Sequence, residues 1–148
     1  VLQAHVDEGL KFARKNRLPK PIANFIPEHQ GTLKMGYFLN KAEEKKLNFN
    51  ESDFRYKGPI PQSKETAILM LADGCEAALR AMDINASDYE ALETISKICN
   101  SRKIDGQLND SNLSKGEIFL IKKSFLNVWK RIRHRRIQYP TTKNNTFS

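Results

Sequence analysis

The 148 residues predict an all-α domain of about six helices. Three observations carry that prediction. Apolar residues recur at helical spacing in segment after segment, two capping boxes ("SDYE" at 87–90 and "SKGE" at 114–117) mark helix starts, and no stretch alternates with the period of two that a half-buried strand needs. No internal repeat is visible. The length is one domain's worth, and 39% apolar with 28% charged residues fits a globular chain able to bury a core.

The elements follow in order. Leu2, Val6, Leu10 and Ala13 share one helical face, so an amphipathic helix runs to about Lys15 and "RLPKP" breaks it. Pro21 suits the first turn of a short second helix through Phe25 and Ile26, ended at Gln30-Gly31. Thr32 is placed to cap a third helix that turns Leu33, Tyr37, Phe38 and Ala42 inward and finishes in "KAEEKK". Residues 47–62, "LNFNESDFRYKGPIPQ", are polar and rich in Gly and Pro, a loop long enough to suggest a function. Ser63 caps the most apolar helix, 64–82, with Ala67, Ile68, Leu71, Ala72, Cys75, Ala78, Leu79 and Met82. The first capping box opens a helix with Leu92, Ile95 and Ile98 inside, and "KIDGQLND" is a turn. The second opens a helix through Phe119, Leu120, Phe125, Val128, Trp129 and Ile132 to about Tyr139. Residues 1–140 therefore form the folded unit, and 141–148 are expected to be a disordered tail.

Composition narrows the setting. The longest apolar run, "TAILMLADGCEAAL", is interrupted by Asp73 and Glu76 and is too short to span a bilayer. The opening "VLQAHVDEGL" is already amphipathic and lacks the basic leader of a signal peptide, and a start at valine suggests a piece of a longer protein. Cys75 and Cys99, without CxxC spacing, are expected to be buried free thiols in a reducing cytosolic setting. The net charge of +8 gathers near the C-terminus in "KKSFLNVWKRIRHRRIQYP", which favours polyanionic partners: nucleic acid, nucleotide or a membrane surface.

Three side chains stand out chemically. Asp73 lies within the most apolar helix, where a carboxylate must be paired, set on an exposed stripe, or bound to a cation. His5 sits at the edge of the apolar face of the first helix, and His29 ends the second helix just before a glycine. Each, taken singly, is more readily a satisfied half-buried histidine than a ligand. Together they place two imidazoles and a carboxylate on or near the inward faces of three helices, the way bundles build metal sites. That donor set suits Mn, Fe or Zn rather than calcium. The loop "FRYKGPIPQSKE" brings Arg55, Gln62, Ser63 and Lys64 to the start of the Asp73 helix, where backbone N–H groups favour anions. Phosphate binding and an ordinary capped helix start are both open there. The basic end "KRIRHRRIQYP", with Arg131, Arg133, Arg135 and Arg136, lacks the interleaved aromatics of a stacking platform and reads as a solvated face; no nucleic acid is expected as partner.

In this order, "HVDEGLKFARKNRLPKPIANFIPEHQGT", "FRYKGPIPQSKETAILMLADGCEAALRA", "DGQLNDSNLS" and "IRHRRIQYP" resemble the C-terminal part of the HD-domain phosphohydrolases. The likeness is to the catalytic domain of the seven-transmembrane HD membrane proteins, the PgpH-type cyclic-di-AMP phosphodiesterases, and runs from His5 to Pro140. The resemblance implies an HD-domain-like helical bundle, incomplete because the helices with the His-Asp pair lie upstream. It implies two divalent metal ions, Mn or Fe, and a metal-activated hydroxide that opens cyclic-di-AMP to linear pApA. It implies His5, His29 and Asp73 as metal ligands, His29 matching the first histidine of the family's "HHGT". Gln30 stands where many members have a second histidine; its amide oxygen is a weak ligand, so the second metal is held less tightly or differently. Arg55, Gln62, Ser63 and Lys64 are assigned to substrate binding on charge and placement.

Several expectations follow from that likeness. The chain is a cytoplasmic domain tethered to the membrane through an upstream multi-pass region, its partner is a cyclic dinucleotide, and a homodimer is possible. Without the His-Asp pair, which occurs nowhere in the 148 residues, the chain alone is expected to be inactive. The alternatives are an HD phosphohydrolase for another nucleotide or phosphoester, a degenerate HD module that binds without turnover, and a basic nucleic-acid-binding helical domain.

Overall fold

The computed structural model describes residues 2–138, save the side chains of residues 2, 3, 37–39 and 136–138. Its elements are α1 (Leu2–Lys15), α2 (Lys20–Ala23), α3 (Phe25–Glu28), α4 (Gly36–Glu44), a 3-10 turn (Glu51–Phe54), α5 (Lys64–Arg80), α6 (Asp88–Ile104) and α7 (Lys115–Gln138). The described residues hold no strand, only an isolated antiparallel bridge between Lys34 and Arg55. The all-α expectation is met. The tail expected at 141–148 lies outside the described residues.

Serine caps set the three long helices where the sequence places them. Ser63 Oγ accepts from the Thr66 N–H at 3.2 Å. Ser87 and Glu90 form a reciprocal box, with the Glu90 N–H donating to Ser87 Oγ and the Ser87 N–H to Glu90 Oε2, at 3.1 and 2.7 Å. Ser114 and Glu117 repeat it at 3.1 and 2.9 Å. Each cap satisfies N–H groups that the first turn leaves without partners and contributes about 1 kcal/mol.

Two expectations are corrected. The short helix after Pro21 is two one-turn pieces, α2 and α3, meeting at Asn24. The next helix starts at Gly36 rather than after Thr32, because residues 33–35 are drawn out against the loop. The Met35 N–H donates to the Phe54 carbonyl at 2.6 Å and the Tyr56 N–H to the Leu33 carbonyl at 3.0 Å. These pairings pin the 47–62 loop across the segment that follows His29. Of the residues expected to face inward on α4, Ala42 is buried; the side chains of Tyr37 and Phe38 are outside the described set.

The core is built by α5, α6 and α7. Ala67, Leu71 and Cys75 recur at i+4 on α5, Ile95 and Cys99 do the same on α6, and Leu108 closes the end. Ile118, Ile121, Phe125 and Leu126 bring α7 against them. Phe119 and Leu120 turn outward instead, 59% and 63% exposed, and Ile68 lies at the exposed edge of α5. Both cysteines are buried free thiols; the Cys75 Sγ donates to the Ile95 carbonyl at 3.9 Å, and the neighbouring Cys99 together with burial pushes the Cys75 thiol up, so it stays protonated. No helix among the described residues is long and apolar enough to cross a membrane.

Ile95 has no exposed surface and sits where the three helices meet. Ile95→Ala is expected to cost about 2–5 kcal/mol in denaturant unfolding, against less than about 0.5 kcal/mol for Phe119→Ala on the outer face. Equal losses would contradict the packing described.

Candidate functional site

His5 stands on α1, His29 is the residue that ends α3, and Asp73 lies at mid-length of α5. The His5 and His29 rings meet edge to face with centroids 5.8 Å apart, and Tyr56 from the long loop approaches His5 the same way at 6.0 Å. His29 Nδ1 lies 3.0 Å from the Phe25 carbonyl and 2.6 Å from the Ile26 carbonyl. Carbonyl oxygens only accept, so the proton is assigned to Nδ1 and the lone pair to Nε2. A ring tied to the backbone through one nitrogen, with the other left as a base, is how metal-ligating histidines are usually held.

Asp73 is exposed. Its negative charge reaches Tyr56: burial pushes the phenol above its ordinary pKa, and Asp73 pushes it further. Gln30, Tyr56 and Asp73 line one open cavity of about 700 Å3, shared with Lys34, Arg102 and Asp105.

Two buried polar contacts fix this arrangement. Glu28, 3% exposed, uses Oε1 to accept from the Gln62 N–H at 2.6 Å and from the Thr66 hydroxyl at 3.1 Å. The residue before His29 is thereby tied to the first turn of the Asp73 helix. Gln107, fully buried, accepts from the Thr32 N–H at 3.1 Å and donates through Nε2 to Thr32 Oγ1 and Asp105 Oδ2, both at 2.9 Å. Gly31 is the residue that this packing demands: its φ is +51°, and a Cβ there would lie 2.5 Å from Gln107 Oε1 and 2.7 Å from Met70 Cε.

The residues singled out for substrate binding are held elsewhere. Arg55 makes a bidentate pair with Asp105 at 3.0 and 3.1 Å and donates to the Thr32 carbonyl at 2.8 Å. That guanidinium, with Gln107, holds the Asp105 carboxyl below its usual range. Gln62 donates to the Ile60 carbonyl and to Asp110, Ser63 is a helix cap, and Lys64 pairs with Glu117 at 2.7 Å. None of the four lines the cavity.

The inward N,N,O cluster also needs correcting. His5 and Asp73 are exposed and only His29 is half-buried, so they form no core cluster; the link between them is Tyr56, which meets the His5 ring and lines the cavity with Asp73. Among the described residues no three His, Cys, Asp or Glu side chains converge on one point. The donor chemistry fits a divalent metal in part: a fixed imidazole, a second imidazole beside it and a carboxylate nearby, but not a closed ligand set. Tyr56, Glu28, Gln107 and Arg102 had no motif to mark them; each depends on contacts distant in sequence. The acid directly before His29 was the one available hint for Glu28.

Comparison with known proteins places this geometry. No protein-family model matches the sequence. An uncharacterized protein of Synechocystis (slr0104) is 44% identical over 145 residues, 95% of this chain and 18% of that protein. The cyclic-di-AMP phosphodiesterase PgpH of Listeria monocytogenes is 34% identical over 97% of this chain and 20% of its own length; that of Bacillus subtilis is 35% identical over 95% and 20%. The chain thus spans about a fifth of these relatives. The crystal structure of the L. monocytogenes PgpH HD domain in complex with cyclic-di-AMP matches with a TM-score of 0.85 at 34% identity, covering 93% of this chain and 64% of that one. A second crystal structure of the L. monocytogenes PgpH HD domain matches with a TM-score of 0.81 at 32% identity, covering 90% of this chain and 62% of that one.

Replacing Asp73 with Asn removes a negative charge from beside a half-buried phenol. The Tyr56 pKa is expected to fall toward its ordinary value while remaining above it, since burial persists. Titration of ring-labelled tyrosine by NMR would read this, and an unmoved Tyr56 would contradict the proximity.

Proposed function

Since the chain is homologous to a segment of the HD domain of the PgpH cyclic-di-AMP phosphodiesterases, we propose that it forms the C-terminal part, residues 1–140, of a metal-dependent domain that opens cyclic-di-AMP to linear pApA. The observation that carries the reading is the state of His29 within that fold. Its Nδ1 is committed to two helix carbonyls, which leaves Nε2 the lone pair; its ring lies beside His5, and the next residue, Gln30, lines the cavity with Asp73.

His5, His29 and Asp73 are the residues that would hold divalent metal, Mn or Fe, with Gln30 offering a weak amide oxygen at the position of a second site. Bound there, a divalent metal supplies Lewis acidity toward the phosphodiester and a water acidified enough to attack phosphorus at neutral pH. The chain's own part is positioning. The Glu28 tie keeps His29 in register with α5, and the backbone carbonyls of α3 fix its tautomer. The remaining ligands, the His-Asp pair among them, are assigned to the part of the HD domain outside the matched segment, because the chain contains no such dipeptide and spans 64% of the solved domain. A tether to a multi-pass membrane region, with this domain on the cytoplasmic side, belongs to the same proposal.

Gln30 favours a second reading. With glutamine in the cavity where a histidine is common, the domain binds nucleotide without turnover.

One experiment separates them. The complete protein carrying this chain, supplied with manganese, is expected to convert cyclic-di-AMP to pApA, while the 148-residue chain alone shows little or no turnover. Binding by the complete protein with no product supports the second reading, and a lone chain as fast as the complete protein contradicts the shared ligand set.

A further inference from the structure

One cation on the wall of the cavity is not accounted for by the ties already described. Lys34 is paired with Glu51, and Arg55, behind Asp105, is paired with that carboxylate. Arg102 of α6 makes no ion pair among the described residues. Its Nη1 donates to Ser101 Oγ at 3.1 Å, and its Nε is buried with no hydrogen-bond partner. A buried N–H without an acceptor is costly and rare in a folded protein; Nε lies beneath the surface, so a ligand in the cavity that Arg102 lines would meet the guanidinium through its Nη groups.

The neighbour that admits this side chain is informative. A Cβ on Gly74 would lie 3.0 Å from Arg102 Nη2 and 3.1 Å from Ile98 Cγ2, so the bare backbone at 74 gives the guanidinium its berth against α5. Gly74 follows Asp73. The two opposite charges therefore line the same cavity on adjoining parts of the wall, yet no ion pair joins them. Each keeps its charge for something else. A carboxylate open to a cation beside a guanidinium open to an anion matches a ligand that brings both, a phosphodiester with its metal. Arg suits the second role, since its planar fork meets two phosphate oxygens at once.

We propose that Arg102 is a substrate-contacting residue whose guanidinium binds phosphate oxygen of the phosphodiester beside Asp73. This rests on the phosphodiesterase reading above and adds to it a residue on α6, a helix that supplies none of the candidate metal ligands.

The test uses the complete protein carrying this chain and a slowly hydrolysed bis-phosphorothioate analogue of cyclic-di-AMP, with binding measured by calorimetry and melting temperature followed alongside. Arg102→Gln is expected to weaken binding about tenfold or more, as loss of a charge-assisted pair of hydrogen bonds does, with little change in melting temperature. Arg102→Lys, which keeps charge but not the fork, should fall between the two. If the glutamine variant folds poorly, the lysine variant carries the test, with binding several-fold weaker expected. Binding within twofold of wild type in a folded variant overturns the proposal while the phosphodiesterase reading stands. A wild-type protein that neither binds the analogue nor hydrolyses cyclic-di-AMP overturns both.

Discussion

Glu28 Oε1, accepting from the Gln62 N–H and the Thr66 hydroxyl, is the contact on which the geometry of the site depends. A carboxyl group taken from water loses its hydration and must recover it from donors inside. Here the donors flank the start of α5, the Gln62 N–H just ahead of the Ser63 cap and the Thr66 hydroxyl in the first turn, where the helix dipole favours negative charge. The tie therefore fixes the end of α3 against the start of α5, beside the Ser63 cap. Because His29 follows Glu28 directly and Asp73 is carried on the rigid body of α5, one buried contact sets the relation between an imidazole and a carboxylate 44 residues apart (73 − 29) in sequence.

A second set of contacts closes the other flank. Thr32 is bonded by Gln107, Gln107 holds Asp105, and Asp105 takes the fork of Arg55, which returns to the Thr32 carbonyl. The ring of bonds joins the turn after His29, the long loop and the end of α6. It also explains why Gly31 has no side chain: the amide of Gln107 and the tip of Met70 occupy that space. The loop's basic residues are thereby committed to structure, so the charge available to a ligand comes from α6 instead.

The fold was largely legible from sequence because its signals are local. Serine caps three residues ahead of an acid, and apolar stripes such as Ala67–Leu71–Cys75, need only neighbouring residues to be read. The failures are where distant segments meet. Thr32 looked like a cap and is instead a partner of Gln107, 75 residues on. Phe119 and Leu120 are apolar yet exposed, because Ile118 and Ile121 occupy the face that α7 turns to the core. At the site, the chemistry of His5, His29 and Asp73 was visible as residue types, and their grouping was suggested by helix-face position and by resemblance. For Arg55 and Lys64 the sequence shows a cation but not the carboxylate, Asp105 or Glu117, that each one pairs with in the fold.

The central claim is that His5, His29 and Asp73 face one metal centre completed by residues outside this chain. Anomalous diffraction from manganese-loaded crystals of the complete protein tests it most directly. The account predicts a metal peak within bonding distance of His29 Nε2, with His5 and Asp73 in the same centre and His29 Nδ1 still on the α3 carbonyls. A peak bound elsewhere, with His29 and Asp73 both uncoordinated, would contradict it.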